Sequence, residues 1–244
     1  MRIPRIYLPK ALNTGDTVEL DERAARHAVK VLRLRPGDAL VLFNGEGGEF
    51  DATLEGGPRE APRVQVREHR AGGVESPLQL HLAQAVARGE RMDFVIQKAV
   101  ELGVNVITPL MAERCVVRLD GERRARRVAH WQGVAISAAE QCGRDRIPTI
   151  EEPLEFEAWL GSPWDGPRLV LAPLARRGLR DFGPETSRAR LMIGPEGGLT
   201  DSELERACTA GYEAVRLGPR ILRTETAAVA ALTALQALWG DLCN

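Results

Sequence analysis

RLMIGPEGGLTDSELERACTAGYEAVRLGPRILRTETAAVAALTALQALW, residues 190–239, is the stretch whose reading decides the fold. Arg190–Ile193 is a run of strand formers broken by Gly194-Pro195-Glu196-Gly197-Gly198. Thr200 and Glu203 then form a capping box that opens a helix over Asp201–Ala210, and Gly211 supplies its C-terminal cap. The pattern repeats at once, with a strand at Ala214–Leu217, a break at Gly218-Pro219 and an apolar helix over Glu225–Trp239. Upstream the same rhythm predicts strands at Leu78–Val86, Val104–Leu110 and Arg168–Ala172, with helices at Arg91–Leu102 and Arg124–Gln141. Alternation of this kind builds a parallel sheet covered by helices, an α/β fold. Ligands in such sheets bind beyond the carboxyl ends of the strands, so the loops after them are where chemistry is expected.

The first seventy or so residues have another rhythm. Thr17–Leu20, Ala39–Phe43, Glu49–Leu54 and Arg63–Glu68 read as short strands, with turns at Gly45, Gly47 and Gly48 and at Gly56-Gly57-Pro58. Between the first two, Asp21–Leu34 has helical spacing, with Ala24, Ala28, Val31 and Leu32 on one side and Arg23, Arg26, Lys30 and Arg33 on the other. A small β-barrel with one basic helix fits this pattern. Residues 71–77 read as a linker, which divides the chain into domains 1–73 and 74–244.

Composition limits the function classes. The chain has 244 residues, long enough for one large or two modest domains, and 44 % are hydrophobic, enough for an ordinary core. The opening MRIPRIYLPK lacks the apolar run of a signal peptide, and the most apolar stretch, Ala227–Trp239, is too short to span a bilayer. The expectation is a cytoplasmic protein without a membrane partner. Cys115, Cys142, Cys208 and Cys243 lie far apart, as do His27, His69, His81 and His130, so no metal site is expected and the cysteines read as reduced and structural. The net charge is −1, but charge is segregated: residues 1–35 hold eight Lys or Arg against four acids, Arg123, Arg124, Arg126 and Arg127 cluster, and residues 149–165 hold five acids and no base. Segregated basic patches are what an RNA-facing surface requires.

Four motifs stand out. The 193–200 turn lets a ligand approach bare backbone at a helix start, although a merely tight turn looks the same. In 217–227, Arg223, Thr224, Glu225 and Thr226 crowd polar groups into the first turn of an apolar helix. A plain N-cap explains Thr224 and Glu225 but not a cation at the positive helix end. Ala138–Arg144 and Arg88–Asp93, the latter followed by Lys98, Glu101, Leu102 and Gly103, read equally well as functional groups or solvated helix ends.

GPEGGLT followed by LGPRILRTETA, with KAVELGVNVITP and AAEQCGR upstream, resembles the RsmE family of ribosomal RNA uridine-N3 methyltransferases of the SPOUT superfamily. RIYL, HAVKVLRLRPGD and FNGEGGEF near the N-terminus match it as well, so the resemblance covers nearly the whole chain. It implies a PUA-like RNA-binding barrel, then a SPOUT-type parallel sheet whose end is tied in a trefoil knot, in a homodimer. It also implies S-adenosylmethionine as cofactor and, as substrate, a uridine in the decoding region of 16S rRNA within the assembled small subunit. The cofactor pocket would be formed by Leu171, Ala172 and Pro173, by Ile193, Gly194, Pro195, Glu196, Gly197 and Gly198, and by Leu217, Gly218, Ile221, Leu222 and Thr226.

Uracil N3 carries a proton that must leave before it attacks a methyl group, so the site needs a proton acceptor and a cation for the developing charge. Arg223 is the expected cation, and Glu196, then Glu225, the expected acceptor. Arg2, Arg5, His27, Lys30, Arg33, Arg123, Arg124, Arg126, Arg127 and Arg144 are the expected RNA contacts. Other readings remain: a SPOUT enzyme with another target base, an α/β enzyme that uses the glycine loops for a nucleotide phosphate, or a non-catalytic RNA-binding or assembly protein.

Overall fold

The computed structural model describes residues 3–56, 61–182 and 186–243; Arg2 and the Gly57-Pro58 turn lie outside them. Backbone proximity groups the chain into two units, residues 1–75 with 139–147, and residues 76–138 with 148–244.

The N-terminal unit contains β1 (Arg5–Tyr7), β2 (Thr17–Glu19), α1 (Glu22–Ala25), β3 (Ala39–Phe43), β4 (Glu49–Glu55) and β5 (Arg63–Arg70). Among the described residues these strands form one sheet in the order β1-β3-β4-β5-β2, antiparallel except for β1 against β3. Alternate residues of β4 are buried, and Phe50, Ala52 and Leu54 pack with Ile6, Leu40, Leu42, Val64 and Val66. The helix expected over Asp21–Leu34 differs from its reading. Asp21 caps α1 by accepting from the Ala24 N–H, but Arg26–Val31 continues as a π-helix, with the Leu32 N–H donating to His27 O at 2.9 Å. The extra residue in that turn slips the helical phase, so Ala24 and Ala28 stay buried while Val31 and Leu32 turn out to solvent.

The C-terminal unit contains β6 (Gln79–Ala85), α2 (Glu90–Glu101), β7 (Val106–Met111), α3 (Gly121–Cys142, its last turn grouped with the N-terminal unit), β8 (Thr149–Ile150), β9 (Leu154–Glu155) and α4 (Phe156–Leu160). It continues through β10 (Arg168–Leu171), β11 (Arg177–Gly178), β12 (Arg188–Ile193), α5 (Asp201–Thr209), β13 (Glu213–Arg216) and α6 (Thr224–Trp239). The strands lie in the order β11-β13-β10-β12-β6-β7-β8, with β9 beside β7, and every pairing is parallel. Leu80–Ala85 of β6 and Ala189–Ile193 of β12 are buried without interruption, as strands covered on both faces must be.

Polar groups lock the sheet at two places. Arg190 at the start of β12 lies over the rings of Trp159 and Trp164, 4.1 and 4.7 Å from their centroids, and donates to Ser162 Oγ at 2.8 Å. Beside it burial pulls the His81 imidazole below its ordinary value, with its hydrogen bond to the Glu151 carboxylate opposing. Farther round, Gln236 of α6 is 1 % exposed, accepts from the Ser76 hydroxyl at 2.7 Å and donates to Leu102 O at 2.8 Å. Gln236→Leu keeps the bulk but strands buried polar partners, and it is expected to lower unfolding stability by about 1–3 kcal/mol in urea titrations.

Candidate active site

Three loops leave the carboxyl ends of β10, β12 and β13 and converge on one pocket of about 610 Å³. Its walls come from residues 171–174, 193–199 with Leu204, 215–222, and Thr224 and Ala227 at the start of α6. Of the residues the sequence suggested for it, all but Thr226 line this pocket. Thr226 is exposed, whereas Thr224 and Ala227, three residues apart, share the inward face of α6. Leu174, Leu199, Leu204, Val215, Arg216, Pro219 and Arg220 also contribute; being mostly aliphatic, they carry no signal of their own in the sequence. Leu174 and Ile221 are 97 % and 85 % exposed although they line the pocket.

The glycine turn is held by its neighbours. A Cβ at Gly194 would stand 2.9 Å from the backbone N of Leu199, so no larger residue fits there. Thr224 Oγ1 donates to Gly194 O at 2.7 Å and accepts from Gln84 Nε2 at 2.9 Å, which joins α6 to the turn. Thr224 is therefore the first residue of α6, and its hydroxyl serves the turn rather than capping the helix; the N-cap is Arg223, which is exposed and makes no side-chain capping bond. The Thr200–Glu203 capping box is present as read, and Glu203 also accepts from the Glu113 N–H at 2.8 Å. On the other flank Arg114 donates to Gly197 O at 2.9 Å.

The Arg88–Asp93 motif reaches this site. Glu196 Oε1 accepts from the Arg88 N–H at 3.0 Å and from Arg91 Nη1 at 2.9 Å. Partial burial pushes the Glu196 carboxyl up, but the Arg88 and Glu196 backbone N–H groups and the hydrogen bond and charge of Arg91 outweigh it and hold it below the usual carboxylate range. Glu225 is differently placed. Its Oε1 is 4.0 Å from Arg91 Nε, and its buried Oε2 has no hydrogen-bond partner among the described residues.

The expected RNA contacts divide into two groups. Lys30 in the π-helix and Arg33 just after it are exposed, with Arg33 in the left-handed region at φ 58°, and His27 is half-buried, 3.7 Å from Glu140 Oε2. Arg123, Arg126 and Arg127 join Arg118 and His130 along a groove of about 490 Å³, while Arg124 bonds to Glu152 and to Pro153 O. Arg5 and Arg144 turn inward instead. Arg5 pairs with Glu49, and Arg144, 5 % exposed, binds Glu75 with Nη2 at 2.7 Å. Glu140 likewise accepts from the Tyr7 N–H and from Arg23, so this part of the third motif serves packing of the N-terminal unit.

Among the described residues none of the four cysteines forms a disulfide; Cys115 is buried and Cys142 half-buried, but Cys208 and Cys243 are exposed and so are no part of a core. Among the described residues no group of three or more His, Cys, Asp or Glu could hold a metal ion, and no helix is long and apolar enough to cross a membrane.

Residues 74–236 match the model of the RNA methyltransferase domain, and residues 20–66 that of the RNA methyltransferase PUA domain. The ribosomal RNA small subunit methyltransferase E of Buchnera aphidicola subsp. Schizaphis graminum is 36 % identical over 242 residues, 99 % of this chain and 98 % of its own length. The chain belongs to the ribosomal RNA small subunit methyltransferase E family. The Bacillus subtilis member is 31 % identical over 92 % of this chain and 91 % of its own. Among solved structures, methyltransferase E of Neisseria gonorrhoeae bound to S-adenosyl methionine superimposes with a TM-score of 0.92 at 40 % identity, covering 99 % of this chain and all of the other. A Legionella pneumophila methyltransferase in complex with SAM gives 0.96 at 41 % identity over the same shares. The parallel sheet is therefore a SPOUT methyltransferase sheet, preceded by the family's PUA domain.

Proposed function

We propose that this methyltransferase uses S-adenosylmethionine to methylate N3 of a uridine in the decoding region of 16S rRNA, in the assembled small subunit in the cytoplasm. The observation that carries the reading is the three-loop pocket. Its aliphatic walls, Leu171, Ile193, Leu199, Leu204, Val215 and Leu222, suit an adenosine, and the glycines offer bare backbone for its polar edges. Arg216 or Arg220 suits the carboxylate of the methionine portion, and among the described residues no lysine of the phosphate-binding kind lines the pocket. The cofactor, when bound, supplies an electrophilic methyl group.

The chain must present uracil N3 without its proton. Glu225 is the better acceptor of the two candidates, because among the described residues its Oε2 has no partner while Glu196 is tied to Arg88 and Arg91. The proton passes from N3 to the Glu225 carboxylate, and Arg223 beside it stabilises the negative charge shared by the flanking carbonyl oxygens. Glu196 in this account fixes the glycine turn to α2.

Arg118, Arg123, Arg126 and Arg127 hold RNA phosphates in their groove, with Lys30 and Arg33 as a second patch. Replacing Arg126 or Arg127 by Gln is expected to flatten the salt dependence of RNA affinity, lowering the slope of log K against log salt by roughly 0.7–0.9 for each charge. An unchanged slope assigns the groove another task.

The active unit is a homodimer; α6 is apolar on its outer side too, with Val229, Ala230, Ala234 and Leu238 only partly covered. The C-terminal chain forms a trefoil knot, a reading supported by β10 lying between the later strands β12 and β13 and by their loops meeting at one pocket. The test of the function is incubation with labelled S-adenosylmethionine and small subunits lacking the modification, then digestion of the RNA. Labelled 3-methyluridine is the expected product. Another methylated nucleoside moves the target base, transfer to naked RNA alone removes the assembled subunit, and cofactor binding without transfer rejects the enzyme.

A further inference from the structure

The FNGEGGEF segment is unused by this mechanism, and it borders a second depression, of about 420 Å³, within the N-terminal unit. Gly47, Gly48, His69, Gly72, Asp145 and Arg146 are among its walls. Asp145 is 3 % exposed, its Oδ2 accepts from the Gly48 N–H at 2.9 Å, and its Oδ1 has no hydrogen-bond partner among the described residues. The glycines are required by this carboxylate and its neighbours. A Cβ at Gly72 would stand 1.7 Å from Asp145 Oδ2, and one at Gly48 would stand 2.5 Å from His69 Nε2 and 2.9 Å from Arg70 O. Gly48 also has φ +77°, which favours glycine. His69 is fixed in turn against Phe50, with ring centroids 4.8 Å apart. Arg146 is exposed at the rim. Glycine at 72 thus leaves room for the Asp145 carboxylate, whose other oxygen is a buried acceptor without a partner among the described residues, at the wall of the depression.

We propose that this depression takes an unpaired guanine of the RNA substrate, with Asp145 accepting from its base edge and Arg146 meeting its phosphate. The choice of base follows from donor patterns. A carboxylate only accepts. Guanine sets two donors, N1–H and the N2 amine, side by side on its Watson–Crick edge. Adenine and cytosine place a ring acceptor beside their amine, which repels a carboxylate, and uracil flanks its one N–H with two carbonyls. Single-stranded RNA exposes these edges, and an imidazole such as that of His69 offers a stacking surface. The proposal rests on RNA being the substrate, and the guanine is a base other than the methylated uridine.

The test is fluorescence anisotropy of the full chain with short oligouridine RNAs carrying one guanine, inosine, adenine or cytosine, at fixed salt. The guanine oligonucleotide is expected to bind roughly 10- to 100-fold more tightly than the adenine one, the range set by a bidentate base contact. Inosine, which lacks the N2 amine, should lose much of that advantage, a comparison that leaves the protein untouched. Asp145→Asn turns its amide oxygen to the Gly48 N–H and presents NH₂ to the base, so the guanine preference should vanish while S-adenosylmethionine binding persists. Equal binding of all four RNAs, or a preference that survives D145N, overturns the pocket alone. Absence of binding to any RNA and to small subunits overturns the RNA-substrate reading as well.

Discussion

Arg223→Ala is expected to slow single-turnover methylation by about 10²–10³-fold, the loss typical of one donor aimed at developing negative charge. Two features of the position separate this from a structural effect. The side chain is exposed and caps nothing, so its removal opens no cavity. A cation at the positive end of α6 is unfavourable by about 0.3–1 kcal/mol, so the alanine variant should be as stable as the parent or slightly more so. Cofactor affinity measured by calorimetry should stay within a few-fold, because Arg223 is not among the pocket residues. A near-normal rate removes Arg223 from the chemistry, and a rate loss accompanied by a fall in melting temperature assigns it to folding.

Arg223 stands out as a candidate because it contradicts its local setting, whereas much of the C-terminal unit is legible for the opposite reason, agreement between levels. Strand and helix formers alternate from Leu78 onward, glycine and proline punctuate each strand end, and a parallel sheet must place those ends together. The pocket loops were therefore legible as positions along the chain. Their contents were less so. Thr224 rather than Thr226 faces inward because the helix begins one residue before Glu225, a shift too small for periodicity to fix. Strand β1 spans only three residues and pairs with β3 some 36 positions away, so no local pattern reports it.

Partners of charges are the other thing a sequence conceals. Arg5 and Arg144 counted as members of basic clusters, yet their acids, Glu49 and Glu75, lie 44 and 69 residues away. Only folding decides whether an arginine faces water or a carboxylate. The π-helix is hidden likewise: Val31 and Leu32 fall on the apolar side of an ideal helix, and one extra residue in the turn moves them off it. The sequence ranks Glu196 before Glu225 for the same reason, since Arg91 and the Arg88 N–H come to Glu196 from about a hundred residues upstream, where no local pattern reports them.

Glu225→Gln is expected to cut the single-turnover rate by about 10²–10⁴-fold at saturating cofactor, the range for loss of a general base. On the energy scale that is roughly 3–5 kcal/mol of transition-state stabilisation, whereas removing one acid from the first turn of a helix costs about 0.3–1 kcal/mol of stability. The two effects are far enough apart that a folded, cofactor-binding and inactive protein is the predicted outcome. Glu196→Gln should behave in the opposite sense. It breaks the bond to Arg91 and loosens the turn around the cofactor, so affinity for S-adenosylmethionine should fall while the rate at saturation stays near normal. Acid should mimic that second variant. The Glu196 carboxyl is depressed in the folded protein, so the anchoring it provides is complete above the ordinary carboxylate value and is lost as pH falls through the depressed one. Cofactor affinity of the parent should then decline in that acidic window, and E196Q should be flat across it. If E196Q instead loses the rate and E225Q keeps it, the proton goes to the anchored carboxylate and the roles of the two residues are exchanged.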